Sequence, residues 1–282
     1  MKDFSCVDET LDLNRAHAYR LSIQVSLDGF SFSILDQVRG KFVVLKHRNF
    51  SQGPTPDDRA KELDRFLSGE ETLQPGYKKS LAMAATRKST LIPEPFFRED
   101  HLKQYLAFNH DMDELDEIHY NYLPEVEAYT VFAVPNPISN AISKHLGSVT
   151  YFHQGLPFIR WHVDNTTGLK KSVAISLYGD FLDIGVFSKD KLHFYNSFSW
   201  STPEDILYYI LHIYRQFTLD VSLNRLYVTG HTRRQDDVKK LIRRYIKKVH
   251  FLDPPDEYTY SYTFQSETAR AFTNLFRLNL CV

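Results

Sequence analysis

The chain has 282 residues, of which 43% are apolar and 24% charged, with a formal net charge of −1; this excludes a disordered polymer and a polyelectrolyte built wholly for nucleic acid. Its two cysteines, Cys6 and Cys281, exclude a disulfide framework and a thiolate-rich zinc site. No apolar run reaches the roughly 18 residues that a membrane helix needs, and the polar start MKDFSCVDETLDLNRAH has no secretory core, so a cytoplasmic protein is expected.

Residues 1–19 read as an N-terminal extension. Ile23, Val25 and Leu27 then alternate with polar residues, the period of a half-buried strand. Asp28-Gly29 is a hairpin-turn dipeptide, and strands at Phe30–Leu35 and Lys41–Lys46 complete a three-stranded meander. Thr55-Pro56-Asp57-Asp58 is a helix start, with an N-cap threonine, proline at the first helical position and acids facing the positive end of the dipole. Ala60, Leu63, Phe66 and Leu67 share one face of that helix. Leu81-Ala82-Met83 reads as a short strand parallel to the sheet, running into Thr86-Arg87-Lys88. Between Glu99 and Glu127 stand nine acids and one lysine. Two histidines, His110 and His119, bound the centre of this stretch, but the spacing is no EF-hand, and a charged surface connection is expected. A strand at Tyr129–Val134 and a helix at Ile138–Leu146 extend this half, which runs over residues 20–165 and meets the next near Trp161–Thr167.

The second half, residues 166–282, repeats the first. Ser22–Phe50 aligns without a gap on Ser172–Trp200 at an offset of 150, with six of 29 positions identical. Gly179-Asp180 is the equivalent turn, and strands are expected at Phe181–Phe187 and, after Asp190, at Lys191–Asn196. Thr202-Pro203-Glu204-Asp205 starts a helix whose apolar residues Ile206, Leu207, Ile210, Leu211, Ile213, Tyr214 and Phe217 cover most of its circumference, so burial between layers is expected. Leu226-Tyr227-Val228 is the parallel strand, Thr232-Arg233-Arg234 its sequel, and Val249–Leu252 with Glu267–Phe276 the extension. Each half is β-β-β-α-β-α with a mixed sheet. The fold class is therefore α/β, a duplicated ribonuclease-H-like core, the architecture of the actin, sugar-kinase and heat-shock chaperone superfamily.

The segment SLYGDFLDIGVFSKDKLHFYNSFSWSTPEDILYYILHIYRQF, with NRLYVTG after it, resembles an uncharacterised bacterial family, a domain of unknown function typical of Bacteroidota and similar in fold to actin-like ATPases. The resemblance runs from about Arg20 to Phe276. It implies a fold and names no activity.

In actin-like ATPases two hairpins, one per half, hold the triphosphate, and an aspartate beside each turn arranges magnesium and water. Carried onto this chain, the candidate cleft residues are Ser26, Asp28 and Gly29 in the first half and Ser176, Tyr178 and Gly179 in the second, with Gly230 in the adenosine loop. Ser26 and Ser176 stand where the superfamily has its aspartates, and a hydroxyl brings no charge to a metal or a hydrolytic water. Tyr178 stands where a glycine would admit phosphate. Gly230 replaces a Gly-Gly pair, and His231 beside it is a turn residue or a base-stacking one. No catalytic or metal-ligating residue is assigned. There is no Gly-rich phosphate loop, HExxH or GxSxG, and Ser26 with Ala82–Ala84 occupies the ground where a ribonuclease-H-like nuclease needs carboxylates. The expectation is a non-catalytic interaction or scaffold protein that binds a protein partner and no cofactor. The alternative is a nucleotide-binding switch or ATPase taking ATP with magnesium. Residues 233–248 carry eight basic and two acidic residues on an amphipathic pattern, which allows a nucleic-acid or anionic-lipid surface. A solvated outer helix face is expected there instead.

Overall fold

The computed structural model describes residues 2–26, 28–50, 55–74, 76–77, 79–166, 171–189, 191–232 and 234–282. The expectations placed on Leu27, Thr167, Asp190 and Arg233 lie outside them.

The first half begins with strand β1 (Phe4–Val7), followed by β2 (Tyr19–Val25), β3 (Gly29–Asp36), β4 (Lys41–Asn49), helix α1 (Pro56–Gly69) and β5 (Lys79–Ala84). Three further strands and a short helix follow: β6 (Ser89–Pro93), α2 (Leu102–Ala107), β7 (Asp116–Leu123) and β8 (Ala128–Pro135). Helix α3 (Asn136–Leu146), β9 (Thr150–His153) and helix α4 (Gly155–Asn165) close this half. The second half has β10 (Ser172–Leu177), β11 (Phe181–Ser188), β12 (Lys191–Ser199), α5 (Pro203–Gln216), β13 (Leu226–Gly230), α6 (Gln235–Tyr245) and β14 (Val249–Phe251), then β15 (Thr259–Tyr260), α7 (Ser266–Ala271) and α8 (Thr273–Arg277).

The two main sheets have one topology. In spatial order they run β4-β3-β2-β5-β9 and β12-β11-β10-β13-β14, the first three strands antiparallel and the rest parallel. Strand β1 adds to the first sheet beside β4. This is the duplicated ribonuclease-H-like architecture. Both helix starts are capped as their sequences dictate: Thr55 accepts from the Asp58 amide at 3.2 Å and Thr202 from the Asp205 amide at 3.3 Å, with Pro56 and Pro203 as first helical residues. The sequels to β5 and β13 also repeat. The Thr86 hydroxyl accepts from the Lys88 amide at 3.1 Å, and that of Thr232 from the Arg234 amide at 2.9 Å.

Four expectations need correction. Tyr129–Val134 lies in β8, which pairs with β6 and β7 in a separate three-stranded antiparallel sheet inserted between β5 and α3. The strand that extends the main sheet is β9. The acidic connection is only partly a solvated surface, because β7 begins at Asp116, whose side chain is 2% exposed and binds Lys88 at 2.8 Å. The junction expected near Trp161–Thr167 is occupied as far as Asn165 by α4, a helix masked in the sequence by Gly155 and Pro157. Helix α5 is not sandwiched: Ile206, Ile210 and Ile213 are buried on the sheet, while Tyr208 on its outer face is 63% exposed.

Each half also lends its last helix to the other. On one face of the second sheet, Phe158, Ile159 and Val163 of α4 pack against Ala174, Phe187 and Tyr227. On one face of the first sheet, Phe272, Leu275 and Phe276 pack against Leu35, Phe42 and Leu81. Strand β15 pairs in parallel with β4 at Lys41 and Phe42. The outer faces carry α1 and α3 on the first sheet and α5 and α6 on the second. The central strands β3 and β11 are therefore covered on both sides and buried over their whole length.

Candidate functional site: the cleft between the halves

The turns that follow β2 and β10 face each other across the cleft. Hydrogen-bond register decides which residues correspond there. The Ser26 amide donates to Gly29 O at 3.0 Å, and the Tyr178 amide to Phe181 O at 2.9 Å. Asp28 O accepts from the Phe50 amide, as Asp180 O does from the Trp200 amide, each at 3.0 Å. Ser26 thus matches Tyr178 and Asp28 matches Asp180, at an offset of 152, while β4 and β12 match at 150. The two-residue difference is absorbed at the next turn, which spans Gln37–Gly40 in the first half and is shorter in the second. The ungapped pairing of Ser26 with Ser176 is corrected accordingly: Ser176 lies inside β10, opposite Asp183.

Six of the seven candidate residues, Ser26, Asp28, Ser176, Tyr178, Gly179 and Gly230, line one cavity; Gly29 lies aside, paired with Asn49 on β4. The cavity holds about 50 Å³, room for a few waters and far below the several hundred Å³ of an ordinary small-molecule site. Its smallness has identifiable causes. The Asp28 carboxylate lies directly against Gly179, where any Cβ would run into it. Tyr178 is 6% exposed, its ring stacked on Phe181 with centroids 4.6 Å apart, and the Trp200 indole donates to its carbonyl at 3.3 Å. Gly230 has φ of +78°, and a Cβ there would meet the Leu177 backbone, which accepts from the His231 amide at 3.1 Å.

Several polar groups of the cleft bond one another. Ser26 Oγ donates to Asp28 Oδ1 at 2.6 Å and lies 3.1 Å from Gly29 O. Asn274 of α8 donates to Ser176 Oγ at 3.0 Å and sits 3.5 Å from the Tyr178 hydroxyl. Burial, and then the charge of Asp28, raise the pKa of Asp180, with Arg87 and Arg59 acting in the opposite direction. Burial pushes His231 down to about 4, so it is a neutral ring at physiological pH. Beyond Gly230 and His231 lies a second hollow of about 160 Å³, lined by Lys239, Arg243, Arg270 and Glu267. Lys239 is paired with Glu267, and Arg270 with Asp253 at 2.6 Å.

A buried carboxylate that sequence reasoning missed lies on β11, opposite Ser176. Asp183 is fully buried, its Oδ1 accepting from Ser197 Oγ at 2.5 Å and from Gln154 Nε2 at 3.4 Å. Gln154 also clamps Thr86, donating to its carbonyl at 2.9 Å and accepting from its amide at 3.1 Å, so the network spans both halves. Burial raises Asp183 to about 7, against the donors' opposing pull. The available signal was one acid in the otherwise apolar run Phe181–Phe187.

The basic helix α6 turns Val238 and Ile242 inward and leaves Lys240, Arg243 and Arg244 exposed; the following residues Lys247 and Lys248 are exposed as well. Among the described residues no helix is long and apolar enough to cross a membrane.

Solved proteins share this architecture. One from Bacteroides thetaiotaomicron, with an actin-like ATPase fold and unknown function, is similar over 97% of this chain and 100% of its own, with a TM-score of 0.81 and 21% identity. The PilM–PilN type IV pilus biogenesis complex matches over 93% of this chain and 97% of the solved one, at TM-score 0.52 and 12% identity. Ethanolamine utilization protein EutJ from Carboxydothermus hydrogenoformans matches over 98% and 93%, at 0.53 and 11%. These likenesses are of fold. No curated protein matches in sequence. The family model described as "Protein of unknown function (DUF3822)" matches residues 8–249, most of the sequence, and the chain belongs to that family, with an actin-like ATPase fold.

Proposed function

We propose that this chain is a non-catalytic interaction protein of the cytoplasm that uses the actin-like fold as a scaffold for a protein partner. The observation that carries the reading is the shut phosphate slot: the two turns meet at Asp28 and Gly179, and Tyr178 fills the space beside them. A triphosphate with magnesium does not fit these residues. The cavity is too small, and the Asp28 carboxylate is engaged by Ser26 Oγ and lies against Gly179. A scaffold role accords with PilM, a protein of similar fold that assembles with PilN. Two free thiols, Cys6 and Cys281, suit a reducing compartment. The cations around the 160 Å³ hollow favour a second reading, a nucleotide-binding switch in which the cleft opens.

Thermal unfolding with Mg-ATP separates the two. A ligand at 100 times its Kd stabilises the native state by about 2.7 kcal/mol, a melting shift on the order of 5 °C for a chain of this size. At 1 mM Mg-ATP no shift and no phosphate release are expected. A shift of several degrees that Gly179→Glu erases would overturn the scaffold reading and establish the switch.

A further inference from the structure

Another hollow, of about 260 Å³, opens on the first-half side of the cleft, between the main sheet and the inserted one. Its floor is apolar: Val25 and Ala84 come from the ends of β2 and β5, Ala133 and Val134 from β8, and Ile138 from α3. Its polar rim is cationic, with Arg59 on the second turn of α1 and Arg87 and Lys88 on the loop after β5, against the single carboxylate of Asp113.

These cations differ in what they are free to do. Lys88 is held by Asp113 at 3.1 Å and Asp116 at 2.8 Å. Among the described residues, neither the Arg59 nor the Arg87 side chain makes a hydrogen bond or ion pair; their charges act at longer range, both on Asp180 across the cleft and that of Arg59 on Asp58 as well. An apolar hollow gives water few partners, and a guanidinium is a planar fork whose geometry matches a carboxylate. The occupant that satisfies both has an apolar body and one carboxylate head. A phosphate or polyphosphate would leave the floor wet and would need more donors than two free guanidiniums supply.

We infer that the hollow bounded by Val25, Ala84, Val134 and Ile138 binds a small carboxylate with an apolar body, its head between Arg59 and Arg87. The same chemistry comes from a free acid or from the C-terminus of a peptide. The inference stands apart from the reading of the nucleotide cleft, because none of its floor lies in the shut slot.

Methyl-labelled protein tests it by NMR at Val25, Val134 and Ile138. The probes are hexanoate, 3-phenylpropionate and an N-acetylated dipeptide ending in free phenylalanine, each beside its primary amide. At least one acid is expected to shift these methyls at saturation, with its amide about tenfold weaker or worse. Arg59→Ala with Arg87→Ala is expected to weaken that acid by a similar factor. Tighter binding of the hexanoate and phenylpropionate class identifies a free acid, and tighter binding of the dipeptide a chain terminus. The inference is overturned if no acid shifts the methyls, if amides bind as well as acids, or if the double variant binds unchanged. The acid-against-amide comparison in the native protein needs no variant to fold.

Discussion

Replacing Asp183 by Asn is expected to change the pH dependence of stability by about 4 kcal/mol between pH 4 and pH 8. The fully buried carboxyl is raised from 3.8 to about 7, roughly three units at about 1.4 kcal/mol each. Between those values the native state holds a proton that the unfolded chain has released. The native protein therefore loses stability from this site as pH rises, until Asp183 is ionised and the loss levels off above pH 7. The substituted amide would stay neutral throughout. Its oxygen can keep accepting from Ser197, but its nitrogen would occupy the place of Oδ2, for which no acceptor is found among the described residues, at a cost of about 1–3 kcal/mol. The variant should be the weaker protein near pH 4 and the stronger one at pH 8. His153 and His231, both pushed down to about 4 by burial, tilt the raw profile the other way. The unfolded chain takes up their protons as pH falls through about 6.5, and stability is lost on acidification. Subtracting the two urea-unfolding profiles cancels the histidines. Parallel profiles would show that Asp183 is not the neutral, buried acid inferred from its surroundings.

Phe158→Ala is expected to cost about 3–5 kcal/mol, as a fully buried aromatic side chain is lost and its cavity refills poorly. Phe158 is fully buried, with ring centroids 4.8 Å from His162, 5.9 Å from Phe187 and 6.0 Å from Tyr195. It is the main anchor of α4 on the sheet of the opposite half. At about 2–4 °C per kcal/mol the melting temperature should fall by roughly 10 °C. Because each half holds the other's last helix, both halves should still melt together. Calorimetry of the native protein should give one transition, and two well-separated ones would contradict the helix exchange as a stabilising device.

Much of the fold was legible because it rests on local chemistry. Alternation at Ile23 and Val25 and again at Val173 and Ile175 locates β2 and β10, although β10 is buried on both faces and not half-buried as its pattern suggests. Thr55-Pro56 and Thr202-Pro203 place helix starts to the residue, because capping satisfies donors a few positions away. The duplication was visible through these repeated local signals. The parts misread are those whose meaning depends on distant neighbours. Gly155 and Pro157 look like a break, yet α4 forms because Phe158 and Val163 find a sheet from the other half to cover. Tyr129–Val134 has the pattern of any strand, and only pairing partners assign β8 to the inserted sheet.

The candidate site divides in the same way. Residue types alone gave only an expectation, that Ser26, Ser176 and Tyr178 stand where the resemblance implies acids and a small residue, since that is a reading of composition at short-range positions. Only the folded chain decided the correspondence of Asp28 with Asp180, because a change in the length of a later turn shifts register without altering the strands' apolar pattern. Only it brought Asp28 against Gly179, Asn274 to Ser176 and Gln154 to Asp183, pairs that join residues far apart in the chain. Local sequence carries backbone propensity and patterning. The narrowness of the cleft and the raised pKa of Asp183 depend on desolvation and contact across the two halves, which exist once both sheets are in place.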